Sequence, residues 1–294
     1  MKPLKIKYLT LLGMAAFAFC ASSASAASAP QRVVSLNVCT DEYIFRLLPP
    51  DRIAALSYLA ADHHPIVSTI ADDVARTNIH LIRQSAEEVL AAKPDLVVID
   101  EGAQVRVRAV LARAGIPVAD VSWASSLDDI RRVTRQLASA LGVPERGEAM
   151  LAEMDKNLAA ARAMAPNPPV SALIYQPNGY AASGSVTEVL MQASGLRNVA
   201  PSLGPTRQGT IPVETLVANP PELLIVGSNA GESSSRARQV LNHPALRALP
   251  QTTHKVSLDL APLLCPGPWS AQAAVNFARE AQKARALAGG TLTH

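Results

Sequence analysis

The sequence predicts an α/β fold: two pseudo-duplicated lobes with mainly parallel sheets, joined by one long backbone helix. Three observations predict it. Residues 87–99 are echoed 127 positions later by residues 214–226, with Glu87, Ala91, Pro94 and Leu96 matched by Glu214, Ala218, Pro221 and Leu223. Strand and helix patterns alternate in the same order in both halves, as parallel α/β sheets require. Between the halves runs a stretch rich in Ala, Glu, Met and Leu with helical apolar spacing. A period this long means two lobes rather than a solenoid.

Along the chain, the first element is an export signal rather than part of the fold. Lys2, Lys5 and Lys7 precede an apolar stretch from Leu9 to Cys20 and a small-residue tract from Ala21 to Ala29. The basic start, the apolar centre and the exit Ala24-Ser25-Ala26 read as a signal peptide over residues 1–26, cleaved after Ala26. Phe19 stands before Cys20, where a lipid-attachment signal needs a small residue, so the exported chain is expected to be soluble and unanchored. Cleavage removes three lysines and no acid, so the formal charge of +3 becomes 24 bases against 24 acids. Bulk charge therefore gives no reason to bind nucleic acid or an anionic membrane. A chain that is 49% hydrophobic and 17% charged has material for a real core.

The first lobe is expected over residues 30–143. Arg32–Leu36 reads as its opening strand and Asp41–Leu48 as a helix; residues 87–99 supply a short helix, a Pro-marked turn and a fully apolar strand. Val118–Trp123 is a late strand followed by a helix. Residues 144–166 form the interlobe helix, with Pro144 in its first turn, Met150, Leu151, Met154 and Leu158 on one face, and Pro166, Pro168 and Pro169 as its stop. The second lobe, residues 167–294, repeats the order with Val170–Tyr175, a helix at Thr187–Ala193, residues 214–226 and Lys255–Leu260.

Several segments carry a resemblance. Arg32-Val33-Val34-Ser35-Leu36-Asn37, residues 50–56 (Pro-Asp-Arg-Ile-Ala-Ala-Leu) and Leu90-Ala91-Ala92-Lys93-Pro94-Asp95-Leu96-Val97 resemble the helical-backbone class of periplasmic substrate-binding proteins. So do residues 175–180 and 193–199. That class serves ABC importers for cobalamin, ferric siderophores and haem-like chelates. The resemblance implies a monomer with a ligand between two lobes that close little, no resident cofactor, and delivery to a permease dimer with its ATPase. It also implies docking through one exposed acid per lobe. The matching positions are Glu87 and Glu214, which the internal repeat independently makes equivalent; each is equally a helix-start acid favoured by the macrodipole.

Ligands of open α/β sheets bind beyond the carboxyl ends of the strands. That rule selects Asn37, Cys39, Thr40 and Asp41, the loop 57–65 with Tyr58, His63 and His64, the loop 101–104, and Trp123 in the first lobe. In the second it selects Gln176, Tyr180, Arg207, Asn229, Cys265 and Trp269. Aromatics are scarce, and four of the chain's eleven (Tyr58, Trp123, Tyr180 and Trp269) fall in or beside these loops. Aromatic faces with polar tips suit a large, partly apolar ligand. Arg207 suits a carboxylate or catecholate, but the loops hold almost no other base, which disfavours a highly anionic ligand.

Cys39 and Cys265 each follow a strand and face one cleft in this scheme. Three readings stand open: a disulfide, two buried thiols, or thiolate ligands for a soft metal. The third makes a direct metal-ion binder with a histidine the alternative to chelate capture. An exported hydrolase is a further alternative, but the chain holds no G-x-S-x-G, no H-E-x-x-H and no GxxxxGK[ST] loop. The expected function is capture of a ferric siderophore or cobalamin in the periplasm and transfer to an inner-membrane importer, without catalysis or a resident metal.

Overall fold

Short apolar runs become the strands of two separate sheets. The computed structural model describes residues 28–62, 67–182, 184–204, 208–227 and 240–290; the expected signal peptide lies outside them. The first lobe contains β1 (Val33–Ser35), α1 (Val38–Leu47), β2 (Ile53–Ser57), α2 (Ala71–Ala75), β3 (Leu81–Ile82) and α3 (Ala86–Ala91). It continues through β4 (Leu96–Asp100), α4 (Val105–Arg113), β5 (Val118–Val121) and α5 (Leu127–Ala140). Its five strands pair in parallel in the order β3-β2-β1-β4-β5. Successive side chains alternate between two cores. Val33, Leu96 and Val98 meet Ile44 and Leu47 of α1, whereas Val34, Val97 and Ile99 meet Val89 of α3 and Leu111 of α4. Helices on both faces explain why Leu96–Ile99 of β4 is apolar at four successive positions rather than at every second one.

After α6 (Pro144–Met164) the second lobe repeats the plan. It contains β6 (Val170–Tyr175), β7 (Tyr180–Ala182), α7 (Ser185–Ala193), β8 (Leu196–Asn198), α8 (Ala200–Leu203), β9 (Gln208–Thr210) and α9 (Val213–Ala218). Then come β10 (Leu223–Gly227), α10 (Pro244–Arg247), β11 (His254–Leu258), α11 (Ala261–Leu264) and α12 (Ala271–Gly290). Four strands pair in parallel as β11-β10-β6-β8, and β7 pairs with β9 as a small antiparallel ribbon. Both ends of α3 and of β4 recur at both ends of α9 and β10 at one constant offset, so the sequence echo is a structural one.

The helix α6 shares a core with both lobes. Leu151, Met154, Leu158 and Ala161 pack with Ile130 of α5, Leu190 of α7, and Ala274 and Val275 of α12. At Gly147 a Cβ would stand 2.6 Å from the Cβ of Ala138, so this glycine sets how closely α6 approaches α5. Among the described residues no helix is long and apolar enough to cross a membrane.

A second connection crosses at the cleft. Beyond α11, Cys265 is joined by a disulfide to Cys39 at the start of α1, with the Cα atoms 5.0 Å apart. Four residues on, Trp269 inserts against the first lobe: its ring meets Tyr43 edge-on at 4.7 Å, and the Arg46 guanidinium lies 4.5 Å from its centroid. Arg46 is itself held by buried Glu42 and by Thr69 Oγ1. Gly267 runs directly over the indole, where a Cβ would come within 2.3 Å of the ring. The run Cys265-Pro266-Gly267-Pro268-Trp269 is thus a strap from the second lobe fastened onto α1.

The start of α1 is pinned from inside its own lobe. Asn37 caps the helix by accepting the Cys39 N–H at 2.7 Å. Thr40, with no exposed surface, donates to the Asn37 carbonyl at 2.8 Å and lies 2.6 Å from the Ser35 hydroxyl. The Asp41 carboxylate, equally buried, accepts the Ser57 N–H at 3.2 Å and the Ser57 hydroxyl. Burial pushes the Asp41 carboxyl up to about 7, against the opposing pull of its serine hydrogen bonds.

Replacing Cys39 and Cys265 together by serine should lower stability by about 2–4 kcal/mol. Thermal melts of the variant and the oxidised chain test this, and coincident melts would show that the tie constrains nothing. The raised Asp41 pKa means that the folded chain keeps this proton to higher pH than the unfolded chain. Stability is therefore lost as pH rises from about 4 towards about 7 and levels off above it. Asp41→Asn, which retains an acceptor for Ser57, should gain on the parent between pH 5 and pH 8; a constant difference across that range in melts would contradict this.

Candidate functional site

Two adjoining cavities lie where the strap meets both sheets. The larger, about 320 Å³, is lined by Trp123, Ile174, Gln176, Tyr180, Ser185, Thr187, Leu260, Leu263, Leu264 and Pro266. The smaller, about 130 Å³, is lined by Cys39, Tyr43, Asp100, Glu101, Val121, Ser122, Trp123, Ala124, Val133 and Pro266. Trp123 and Pro266 belong to both. The lining comes largely from segments at or beyond the carboxyl ends of β1, β4, β5, β6 and β11, and the smaller cavity spans the β1/β4 pair, where the strand order of the first sheet reverses. That is the topological switch point at which open α/β sheets bind ligands. Two roomier hollows, about 550 and 490 Å³, lie instead by Ile53 and Leu96 at the amino ends of first-lobe strands.

The chemistry of the two cavities differs. Among the described residues the larger has no charged side chain in its lining and offers indole, phenol and aliphatic surface with the Gln176 amide and two hydroxyls. Its volume lies in the range of small-molecule sites. The smaller holds two carboxylates, Asp100 and Glu101. Partial burial raises the Asp100 pKa, and nearby Arg108 opposes the shift. The Arg108 guanidinium is committed elsewhere, donating to the Asp100 main-chain carbonyl at 2.8 Å and pairing with Asp120.

Among the described residues large apolar side chains exposed to solvent are few, and two of them line the larger cavity. Trp123 is 62% exposed and Leu264 41%, both in the cavity lining. Tyr58 (52%) follows β2, and Val105 (72%) opens α4 just beyond β4. A concentration of apolar surface at the mouth of a cleft marks a binding surface.

Of the residues selected from sequence, Cys39, Trp123, Gln176 and Tyr180 line the cavities, and Tyr58 stands at the carboxyl end of a first-lobe strand without lining either. Cys265 adjoins the shared wall residue Pro266. Three expectations need correction. Thr40 and Asp41 face the lobe interior, because a polar residue in the first turn of α1 finds partners in Ser35 and Ser57. Asn37 spends its side-chain oxygen on the helix cap. Trp269 is a packing residue seated on Tyr43 and Arg46, and it lines neither cavity.

His63, His64, Arg207 and Asn229 lie outside the described residues. With Cys39 and Cys265 joined, neither sulfur is a thiolate, so the readings as buried thiols or metal ligands give way to the disulfide. Among the described residues no group of three metal-ligating side chains converges. Sequence reasoning selected the loop 261–269 that carries Leu263 and Leu264 but missed Tyr43, Asp100 and Val105. Asp100 and Val105 flank a loop that it did select, residues 101–104, so extending that loop by one residue at each end finds both.

The family model for periplasmic binding proteins matches residues 71–255. Among solved structures, the chain is similar to the periplasmic heme-binding protein RhuT from Roseiflexus sp. RS-1 in its apo form. The identity is 25% and the TM-score 0.66, covering 86% of this chain and 98% of that one. It also shares its fold with the periplasmic heme-binding protein HutB of Vibrio cholerae (19% identity, TM-score 0.67, covering 87% and 98%). The vitamin B12-binding protein BtuF of Vibrio cholerae is a further likeness (19%, 0.61, 87% and 98%). A comparison with curated proteins finds no match. The doubly lobed parallel architecture, the interlobe cavity and a family match over more than half of the length agree: the chain belongs to the periplasmic binding proteins, a family of ligand carriers rather than enzymes.

Proposed function

We propose that this protein captures a metal-bearing chelate in the periplasm and hands it to an inner-membrane ABC importer. The candidate ligands are a corrinoid, a heme-type tetrapyrrole or a ferric siderophore. The observation that carries the reading is the uncharged cavity of about 320 Å³ between the lobes, with Trp123 on one side and Tyr180 on the other. Flat apolar surface with a few polar tips recognises a large ring system without demanding charge. The likeness to heme- and B12-binding structures supports the same ligand class. Export by a signal peptide cleaved after Ala26, and action as a monomer, complete the proposal.

Docking belongs to the same reading. Glu87 and Glu214 are both exposed and stand in the first turns of α3 and α9. Each helix leads down to the amino end of a parallel strand, so each acid sits at the end of its lobe nearer the cleft. Two carboxylates at equivalent sites of a pseudo-twofold molecule match a dimeric permease carrying one basic site per subunit, and such rim charges chiefly steer the encounter.

Trp123 is the tryptophan in the cleft, so ligand should quench its emission. Titration of the mature chain with cobalamin, hemin and ferric siderophores should give one saturable response. That response should disappear in Trp123→Phe and persist in Trp269→Phe; the reverse pattern, or no response to any chelate, would remove the cleft assignment. Glu87→Ala combined with Glu214→Ala should leave that titration unchanged while lowering cellular uptake at least about tenfold. Uptake at the parental rate would refute the docking role.

A further inference from the structure

Resting on the docking reading, the repeat also shows what each acid works with. Glu87 and Glu214 stand 127 positions apart, and the helices that carry them, α3 and α9, share one pattern of exposure. Val89 and Leu216, two residues on, are fully buried in the cores of their lobes. Leu90 and Val217, the next position, turn the other way, and each is 38% exposed. Of the seven large apolar side chains exposed among the described residues, these two alone form a pair at equivalent positions of the repeat.

A single exposed leucine or valine needs no explanation. The same outward apolar position in both copies does, because the copies differ at most other positions. Neither side chain lines a cavity of the cleft, so contact with the captured ligand does not account for them.

Residues three apart on a helix lie on one face, and each Cα–Cβ bond tilts towards the helix amino end. Leu90 therefore leans over the turn that carries Glu87, and Val217 over the turn that carries Glu214. Each lobe presents a carboxylate with an apolar shoulder beside it. An exposed ion pair in water is worth little. An apolar group that seats next to the pair excludes water from it and strengthens it. The duplication fixes the partner's chemistry: a twofold-symmetric membrane protein whose subunits each carry a basic side chain bordered by an apolar hollow. We propose that Leu90 and Val217 are the apolar half of the docking surface, holding the carrier on its importer after Glu87 and Glu214 have steered it there.

The test measures binding of the radiolabelled mature chain to right-side-out inner-membrane vesicles from cells that lack their own copy of it. Leu90→Gln combined with Val217→Thr keeps side-chain bulk and removes apolar surface. It should weaken binding about tenfold or more through faster dissociation, with the parent's melting temperature. Leu90→Met with Val217→Ile, which stays apolar, should dissociate at the parental rate. Glu87→Ala with Glu214→Ala should instead slow association and flatten its salt dependence. Leu287→Ser, at an apolar residue of α12 that is 45% exposed, should change nothing. Parental dissociation by the Gln/Thr variant beside slow association by the acid variant overturns the apolar shoulder and leaves docking by the acids standing. Equal weakening by Leu287→Ser overturns it too, since any exposed apolar residue would then serve. Binding that never saturates, or that neither pair of substitutions alters, overturns the docking reading and this inference together.

Discussion

The bond between Cys39 and Cys265 ties the first helix of one lobe to the last loop of the other, and the geometry of the cleft depends on it. Without that bond, the lobes would be connected mainly through α6, α12 and the core between them. With it, the wall made by Leu263, Leu264 and Pro266 is held against the carboxyl ends of β1, β4 and β5. The indole of Trp269 extends the tie from a point to a patch. It is seated between Tyr43 and Arg46, whose guanidinium is fixed by Glu42 and Thr69. Covalent and packed constraints thus act on one segment, and that segment lines both cavities.

The lobes are equivalent in plan and unequal in chemistry. Both present parallel strands to the cleft, but the second contributes Tyr180, Gln176 and aliphatic surface, while the first contributes Trp123 and both acids. A ligand between them meets an apolar, hydrogen-bonding face on one side and an acceptor-rich recess on the other. Such asymmetry orients a bound ligand, which a symmetric cleft could not do.

The repeat was legible because buried parallel strands are apolar at every position and their helices are short, so that residues 87–99 and 214–226 stand out from the background. Trp123, Gln176 and Tyr180 were legible because the rule that ligands bind past strand ends needs only the strands. Individual polar residues near those ends were not. Asn37, Thr40 and Asp41 share one stretch of sequence with Cys39, and nothing local says which side chain turns inward to Ser35 or Ser57 and which turns out. Trp269 was misassigned because its environment is made by residues over two hundred positions earlier, and by a glycine whose role is to leave room for the ring. Asp100 fell between the strand read to residue 99 and the loop read from residue 101, and nothing local marks the last residue of that strand as part of the cavity wall.

The two-point fastening also governs time. A carrier whose lobes swing shut holds its cargo by a slow opening step, so its residence time is set by its own conformational clock. Here α6 and its shared core brace the back of the cleft and the strap braces the front. Capture then becomes a single-step encounter with a standing mouth, and retention rests on contacts alone, so differences among ligands fall mainly on the off-rate. Prompt release at the membrane has to be imposed from outside, by a partner that strains the cleft wall or competes for the rim.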